Sequence, residues 1–169
     1  MIIKLRCSSS LYITMGGGII PVATDGVKVY FLFGKEVEDG KWSDFGGGRE
    51  KKETPFQTAV REGGEELCGF FGYGKKLATR LKKDSLGQIS VNGYNAFLFK
   101  ADYDPNLPSY FKHNFAFMKH KFPDKINKNG MFEKSEVEWL TISEIKRRRK
   151  QFRPFYRSVV DQIILQSNI

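Results

Sequence analysis

Short apolar runs punctuated by glycine, and then apolar positions at helical spacing, give the chain its outline. Gly17 to Ala23 reads as a short strand, Asp25-Gly26 as a tight turn, and Val27 to Phe33, rich in β-branched and aromatic residues, as a second strand, so the two form a hairpin. Glu38-Asp39-Gly40 is a loop and Lys41 to Phe45 a short extended piece. The triple glycine Gly46-Gly47-Gly48 is expected to break regular structure and bend with positive φ. A helix then starts at a well-marked point: Thr54 is an N-cap residue, Pro55 takes the first helical position, and Gln57 completes a capping box. At 100° steps Phe56, Val60 and Leu67 share a stripe with Ala59 and Gly63 beside it, while Glu62, Glu65 and Glu66 gather on another face. Gly69, Gly72 and Gly74 close the helical region.

Further on, Gly87 to Ser90 and Asn92 to Lys100 read as strands, Asp102 to Pro108 as a loop, Tyr110 to Met118 as another strand, and His120 to Gly130 as a long polar surface loop. Val137 to Leu140 is a short strand, Thr141 to Ile145 opens a helix, and Arg153 to Leu165 forms a second helix that begins near Pro154. This mixture predicts an α/β class, with a mixed sheet between helices. At 169 residues the chain is expected to form one domain over residues 1–169.

Composition sharpens this outline. A hydrophobic fraction of 40% and 15 Phe residues supply a core and argue against disorder. No apolar run reaches the roughly 18 residues of a membrane span, and the segment Met1 to Arg6 lacks a secretory signal's apolar stretch. With Cys7 and Cys68 as the two cysteines and no zinc-ligand spacing, the expectation is an intracellular, reducing setting with no membrane partner and no structural zinc. Twenty-eight basic residues against 19 acidic ones give +9, which suits phosphate-rich partners. The acids collect between Glu36 and Glu66 and from Glu133 to Glu144, framed by basic segments such as Lys146 to Lys150.

The chemistry lies in the helix after the glycines. Spacing of i, i+3, i+4 brings Glu62, Glu65 and Glu66 within reach of one cluster of hard divalent cations, which neutralise phosphoryl oxygens and activate water. Crowded carboxylates repel one another without a cation. Arg61, four residues before Glu65, can hold the cluster in place, and Gly46 and Gly47 let a main-chain carbonyl approach the same ion.

Gly47, five residues, Glu53, seven residues, then Arg61-Glu62-Gly63-Gly64-Glu65-Glu66 resembles the box of the Nudix hydrolases, a likeness that extends from about Gly16 to Ile145. The resemblance implies the Nudix fold, an α/β/α sandwich, and hydrolysis of a diphosphate linkage with Mg²⁺ or Mn²⁺. It implies Gly47, Glu62, Glu65 and Glu66 as metal ligands, Glu62 as ligand or base, Glu53 and Gly46 as supports, and Arg61 as the orienting partner. It also calls for a distal carboxylate, for which Glu133 is chosen ahead of Glu136 and Glu138. Two positions depart from the pattern: Gly63 replaces an apolar residue, and Cys68 stands where glycine is expected.

Ser43 to Glu50 together with Thr58 to Gly63 is similar to Nudix proteins of large DNA viruses, some of which remove mRNA caps. The expected substrates are therefore capped RNA or a free nucleotide, with diphosphoinositol polyphosphates and a non-cleaving RNA- or nucleotide-binding module as alternatives. Trp42 is the candidate for stacking a base, and Lys146 and Arg147 for phosphate contacts, against the plainer reading of that cluster as a solvated helix face. The oligomeric state stays open.

Overall fold

The structure is a computed structural model that describes residues 16–128 and 130–167. Cys7 and the segment Met1 to Arg6 lie outside the described residues. Among the described residues seven strands form one mixed sheet: β1 (Gly16–Thr24), β2 (Val29–Glu36), β3 (Trp42–Ser43), β4 (Phe45–Gly48), β5 (Ser85–Val91), β6 (Tyr94–Lys100) and β7 (Lys134–Leu140). β6 runs parallel to β1 from Gly16 to Val22 and pairs antiparallel with β5. The other edge of β1 is shared. Its first half pairs with β4, Gly16 to Ile19 against Gly48 to Phe45, and its last residues, Val22 to Thr24, pair with β2. β2 then turns away to β3 and β7. The sheet consequently splits between β4 and the β2–β7 pair, and the functional candidates sit at this split.

Helices cover both faces. α1 (Pro55–Glu66), α2 (Gly74–Lys83) and α3 (Leu107–Lys121) pack over a core that includes Ile19, Leu32, Phe45, Leu77, Phe99 and Phe111. α4 (Ile142–Arg148) and α5 (Arg157–Gln166) cover the opposite face, against Ile20, Phe33, Leu98, Phe152 and Tyr156. This is an α/β/α sandwich. Among the described residues no helix is long and apolar enough to cross a membrane.

α1 begins as its sequence dictates. Thr54 Oγ1 accepts the Gln57 N–H at 3.2 Å, and Gln57 Oε1 accepts the Thr54 N–H at 2.8 Å. Thr54→Ala removes one side of this box and is expected to cost about 1 kcal/mol, read from the midpoint of urea unfolding at unchanged slope. Both departures from the box pattern acquire physical roles. A Cβ at residue 63 would run into the Ile19 side chain, so the glycine lets α1 lie close on β1. Cys68 adopts φ 49°, the left-handed turn that a glycine takes more readily, and its N–H still reaches the Glu65 carbonyl at 3.0 Å.

Several expectations change. Tyr110 to Met118 is not a strand but the body of α3. Leu107 and Phe111, four residues apart, face the core while Tyr110 and Phe117 are exposed, so helical spacing overrides the strand preference of aromatics. The stretch after Gly72 holds α2, which buries Leu77 and Leu81 on one face, and Gly74 starts that helix rather than ending the previous one. Gly46, Gly47 and Gly48 do not bend with positive φ; they continue as strand β4. Pro123–Lys125 form a 3₁₀ turn within the expected long loop.

Candidate active site

The box helix delivers its acids to the split because α1 crosses β1 and β4 with Glu62 and Glu66 turned inward. Arg61 is the hub. Its Nε and Nη2 donate to the two oxygens of Glu53 at 2.9 and 3.0 Å, its Nη1 donates to Glu62 Oε1 at 2.7 Å, and Glu65 Oε2 lies 3.5 Å away. Nη2 also donates to the Gly48 carbonyl at 3.1 Å, which ties α1 to β4. The fork toward Glu53 is bidentate, and it holds that carboxyl down at about 2, with Thr58 Oγ1 donating a further bond at 3.0 Å.

The three helix carboxylates respond differently. Burial pushes Glu62 and Glu65 above the usual carboxylate range, and the nearby Glu133 charge adds to both shifts. Burial raises Glu66 well above it. Side-chain exposure falls from 29% at Glu65 to 12% at Glu62 and 3% at Glu66, so Glu65 is the most open of the three. Gly47 packs directly under Glu62: a Cβ there would lie 2.5 Å from Glu62 Oε1, so any side chain would displace the carboxylate.

Main-chain direction along β4 alters one assignment. Glu66 Oε2 accepts the Gly46 N–H at 2.7 Å, and Arg61 takes the Gly48 carbonyl, so residues 46 and 48 turn their polar groups away from β1. Alternation then turns those of Gly47 into the ladder opposite Gly17. The carbonyl available beside the carboxylates is therefore that of Gly46, not Gly47.

A second polar group fills the floor of the split and was not foreseen. Lys134, fully buried, donates to Glu36 and to Ser43 Oγ (2.8 Å), and its ammonium lies 3.3 Å from Glu66 Oε2. Next to it, buried Asp44 accepts from the Tyr94 hydroxyl at 2.8 Å through Oδ1, while its Oδ2 and the buried Tyr156 hydroxyl have no hydrogen-bond partner. Burial pushes the Asp44 carboxyl up to about 7. In the unfolded chain it titrates near 4, so between about pH 4 and 7 the folded state holds the extra proton and stability falls as pH rises. Asp44→Asn should lack this slope of at most about 1.4 kcal/mol per pH unit. Denaturant unfolding at pH 4.5 and 7.5 checks it: the variant should gain on wild type at the higher pH.

The remaining candidates divide. Glu133 directly precedes Lys134, its carbonyl accepts the Val37 N–H at 2.8 Å, and its charge reaches Glu62, Glu65 and Glu66. Its carboxylate has no ion pair among the described residues, whereas Glu136 is paired with Lys35 at 2.6 Å and Glu138 with Arg148 at 2.7 Å. Trp42 is not a stacking platform. It is 6% exposed and packed in the core, with the Arg148 guanidinium 4.9 Å from its ring centre. Lys146 and Arg147 lie on α4, whose Ile145 packs on the face of the sheet opposite α1, so the fold does not bring them to the glutamates. The basic residues that share the α1 layer are those of α2 and α3, among them exposed Lys75, Lys76, Lys112 and Lys119. Lys75 and Tyr73 line a cavity of about 390 Å³ together with Arg61 and Glu65.

Among the described residues, no three His, Cys, Asp or Glu side chains already converge as a formed coordination shell; the Arg61 guanidinium stands between the carboxylates. The donor set nevertheless fits a hard cation. It is all oxygen, its members raise one another's proton affinity, and a strand carbonyl lies alongside.

Solved structures share the fold at low sequence identity. A bifunctional NMN adenylyltransferase/ADP ribose pyrophosphatase from Francisella tularensis superposes with a TM-score of 0.57 at 18% identity, over 94% of this chain and 42% of that one. The same protein complexed with AMP and Mn ion gives 0.55 at 18% identity, over 94% and 43%. The MutT protein from Methanosarcina mazei Go1 gives 0.50 at 16% identity, over 95% of this chain and 99% of that one. The chain thus has the Nudix fold, and it spans less than half of the bifunctional protein. No protein-family model and no curated protein matches the sequence.

Proposed function

We propose that this chain, acting as one domain, is a metal-dependent pyrophosphohydrolase that cuts the diphosphate linkage of a nucleoside diphosphate joined to another moiety. The observation that carries the reading is the Arg61-centred set of Glu53, Glu62 and Glu65, with Glu66 and Glu133 around it, at the split of a Nudix-fold sheet. Glu62, Glu65, Glu66 and the Gly46 carbonyl would hold Mg²⁺ or Mn²⁺. Such a cation supplies charge neutralisation at the phosphoryl oxygens and makes water a stronger acid.

The chain's own groups do the rest. Arg61 and Glu53 fix the helix acids against β4. Lys134 holds Glu66 by Oε2, which leaves Oε1 for a ligand role. Glu133, whose carboxylate is unpaired, accepts the proton from the attacking water. Glu133→Gln should therefore lower kcat by roughly 10² to 10⁴ while the binding of Mn²⁺ by the helix glutamates persists. Single-turnover rates and a Mn²⁺ titration check this, and a near-normal rate would remove Glu133 from the mechanism.

The favoured substrate is a capped RNA. Support comes from the +9 charge, from the exposed lysines that α2 and α3 place in the same layer as α1, and from the Tyr73–Lys75 cavity beside Glu65. The neighbour complexed with AMP and Mn ion supports a nucleotide for this fold. The test is a panel of capped RNA, nucleotide sugars, dinucleoside polyphosphates, damaged nucleoside triphosphates and inositol pyrophosphates with Mg²⁺ or Mn²⁺. The reading expects release of a nucleoside mono- or diphosphate, with steep salt dependence for RNA. If every member stays uncut while RNA binds tightly, the chain is a binding module instead.

A further inference from the structure

On the side of β4 away from Glu62, a cavity of about 610 Å³ opens between the glycine strand, the turn joining β5 to β6, and the segment leading into α5. Its volume lies in the range of small-molecule sites. Gly46 to Gly48 form the wall it shares with the carboxylates, and since none of them has a side chain, that wall is one strand thick. Among the described residues β4 pairs with β1 alone, so no strand covers its far edge, and a ligand can pass from the cavity around Gly48 to Arg61 and Glu62.

The lining says which part of a ligand belongs here. Phe155 is 58% exposed, and its ring is held by Tyr94 and Tyr156, both edge-on with centroids 6.2 Å away. The Arg153 guanidinium stands 5.6 Å from the centre of the Phe155 ring. Arg153 is the one charged side chain among the lining residues, and its charge is already matched by Glu36, Glu38 and Asp39 at 3.4, 3.4 and 3.1 Å. A cation so matched offers a flat stacking surface and little net attraction for phosphate. The exposed Asn92 amide, at the cavity rim, has no hydrogen-bond partner among the described residues and can donate to and accept from a base edge.

We infer that this cavity receives the nucleobase of the substrate, stacked on Phe155 beside Arg153, while the diphosphate lies across the open edge of β4. The inference rests on the pyrophosphohydrolase reading for the position of the diphosphate, and it favours nucleosides over inositol pyrophosphates, whose anionic rings would meet no unmatched cation here.

The test separates base binding from hydrolysis. Calorimetry on the full chain without divalent metal compares adenosine and guanosine 5′-monophosphate with ribose 5-phosphate and inositol hexakisphosphate. The nucleotides should bind, with ribose 5-phosphate at least about tenfold weaker. Phe155→Ala should weaken nucleotide binding by about tenfold, and Phe155→Trp should restore it. The same Phe155→Ala change should raise KM for a cleaved nucleotide substrate with little change in kcat. Equal binding of nucleotide and ribose 5-phosphate, or an affinity indifferent to Phe155→Ala, overturns the inference even if hydrolysis is found. Base-dependent binding lost in Phe155→Ala upholds it even if no diphosphate in the panel is cut.

Discussion

Glu65→Gln is expected to lower turnover by about a thousandfold while leaving the thermal midpoint nearly unchanged. Glu65 is the most open of the three helix carboxylates, and its closest ionic contact is Arg61 at 3.5 Å, so the amide keeps shape and packing. What it loses is a formal negative charge in an oxygen donor set. Cation stabilisation of a phosphoryl transition state contributes several kcal/mol, and about 1.4 kcal/mol corresponds to tenfold in rate. Steady-state rates beside a melting curve decide the matter: a variant that turns over within a few-fold of wild type would remove Glu65 from the ligand set. Glu66→Gln should abolish turnover as well, but with a folding penalty, because Glu66 shares Lys134 with Glu36.

Lys134→Met should be the most damaging substitution for folding. Methionine matches the length of the buried stem, yet it leaves Glu36 and Glu66 buried without their shared ammonium. Removing one partner from a buried ion pair costs about 3–5 kcal/mol, because the remaining charge is left uncompensated. Chemical denaturation should show that loss, and the double variant Lys134→Met with Glu36→Gln should recover part of it, since these sites are in direct contact and couple. Additive effects of the two changes would contradict the shared-charge description. The same ammonium ties Glu66 on α1 to Glu36 on β2 across the split of the sheet.

The fold was largely legible where local signals agreed. The Thr54-Pro55-Gln57 start of α1 and the hairpin around Asp25-Gly26 each combine a turn or cap residue with the right apolar spacing, and the helix read from Thr141 is α4, to which the structure adds a capping box. The strand reading of Tyr110 to Met118 failed because four aromatics at mixed spacing, Tyr110, Phe111, Phe115 and Phe117, suggest a sheet, while the burial of Leu107 and Phe111 that sets the helix is decided by what lies beneath it. α2 escaped notice because glycine and lysine crowd its start and two leucines four residues apart are a faint signal.

The acidic helix was readable because three carboxylates at i, i+3, i+4 share a face in any helix. What tied them together was less so. Arg61 was visible through its spacing, but Lys134 was not, since a lysine in a strand is ordinarily exposed and no local pattern marks one that is buried. Asp44, Tyr94 and the Arg153–Phe155 segment come from three separate stretches of the chain and meet only in the fold, through Tyr94, which touches both Asp44 and Phe155. Trp42 was placed near the glycines correctly along the chain, but β3 turns its ring into the core.

The most direct test of the central claim is a crystal soaked with Mn²⁺ and read by anomalous scattering. Strong peaks bounded by the oxygens of Glu62, Glu65 and Glu66 and the Gly46 carbonyl, with Arg61 still on Glu53, are the predicted result. Peaks confined to other surfaces, or none at saturating Mn²⁺ with those carboxylates still gathered on Arg61, would contradict it.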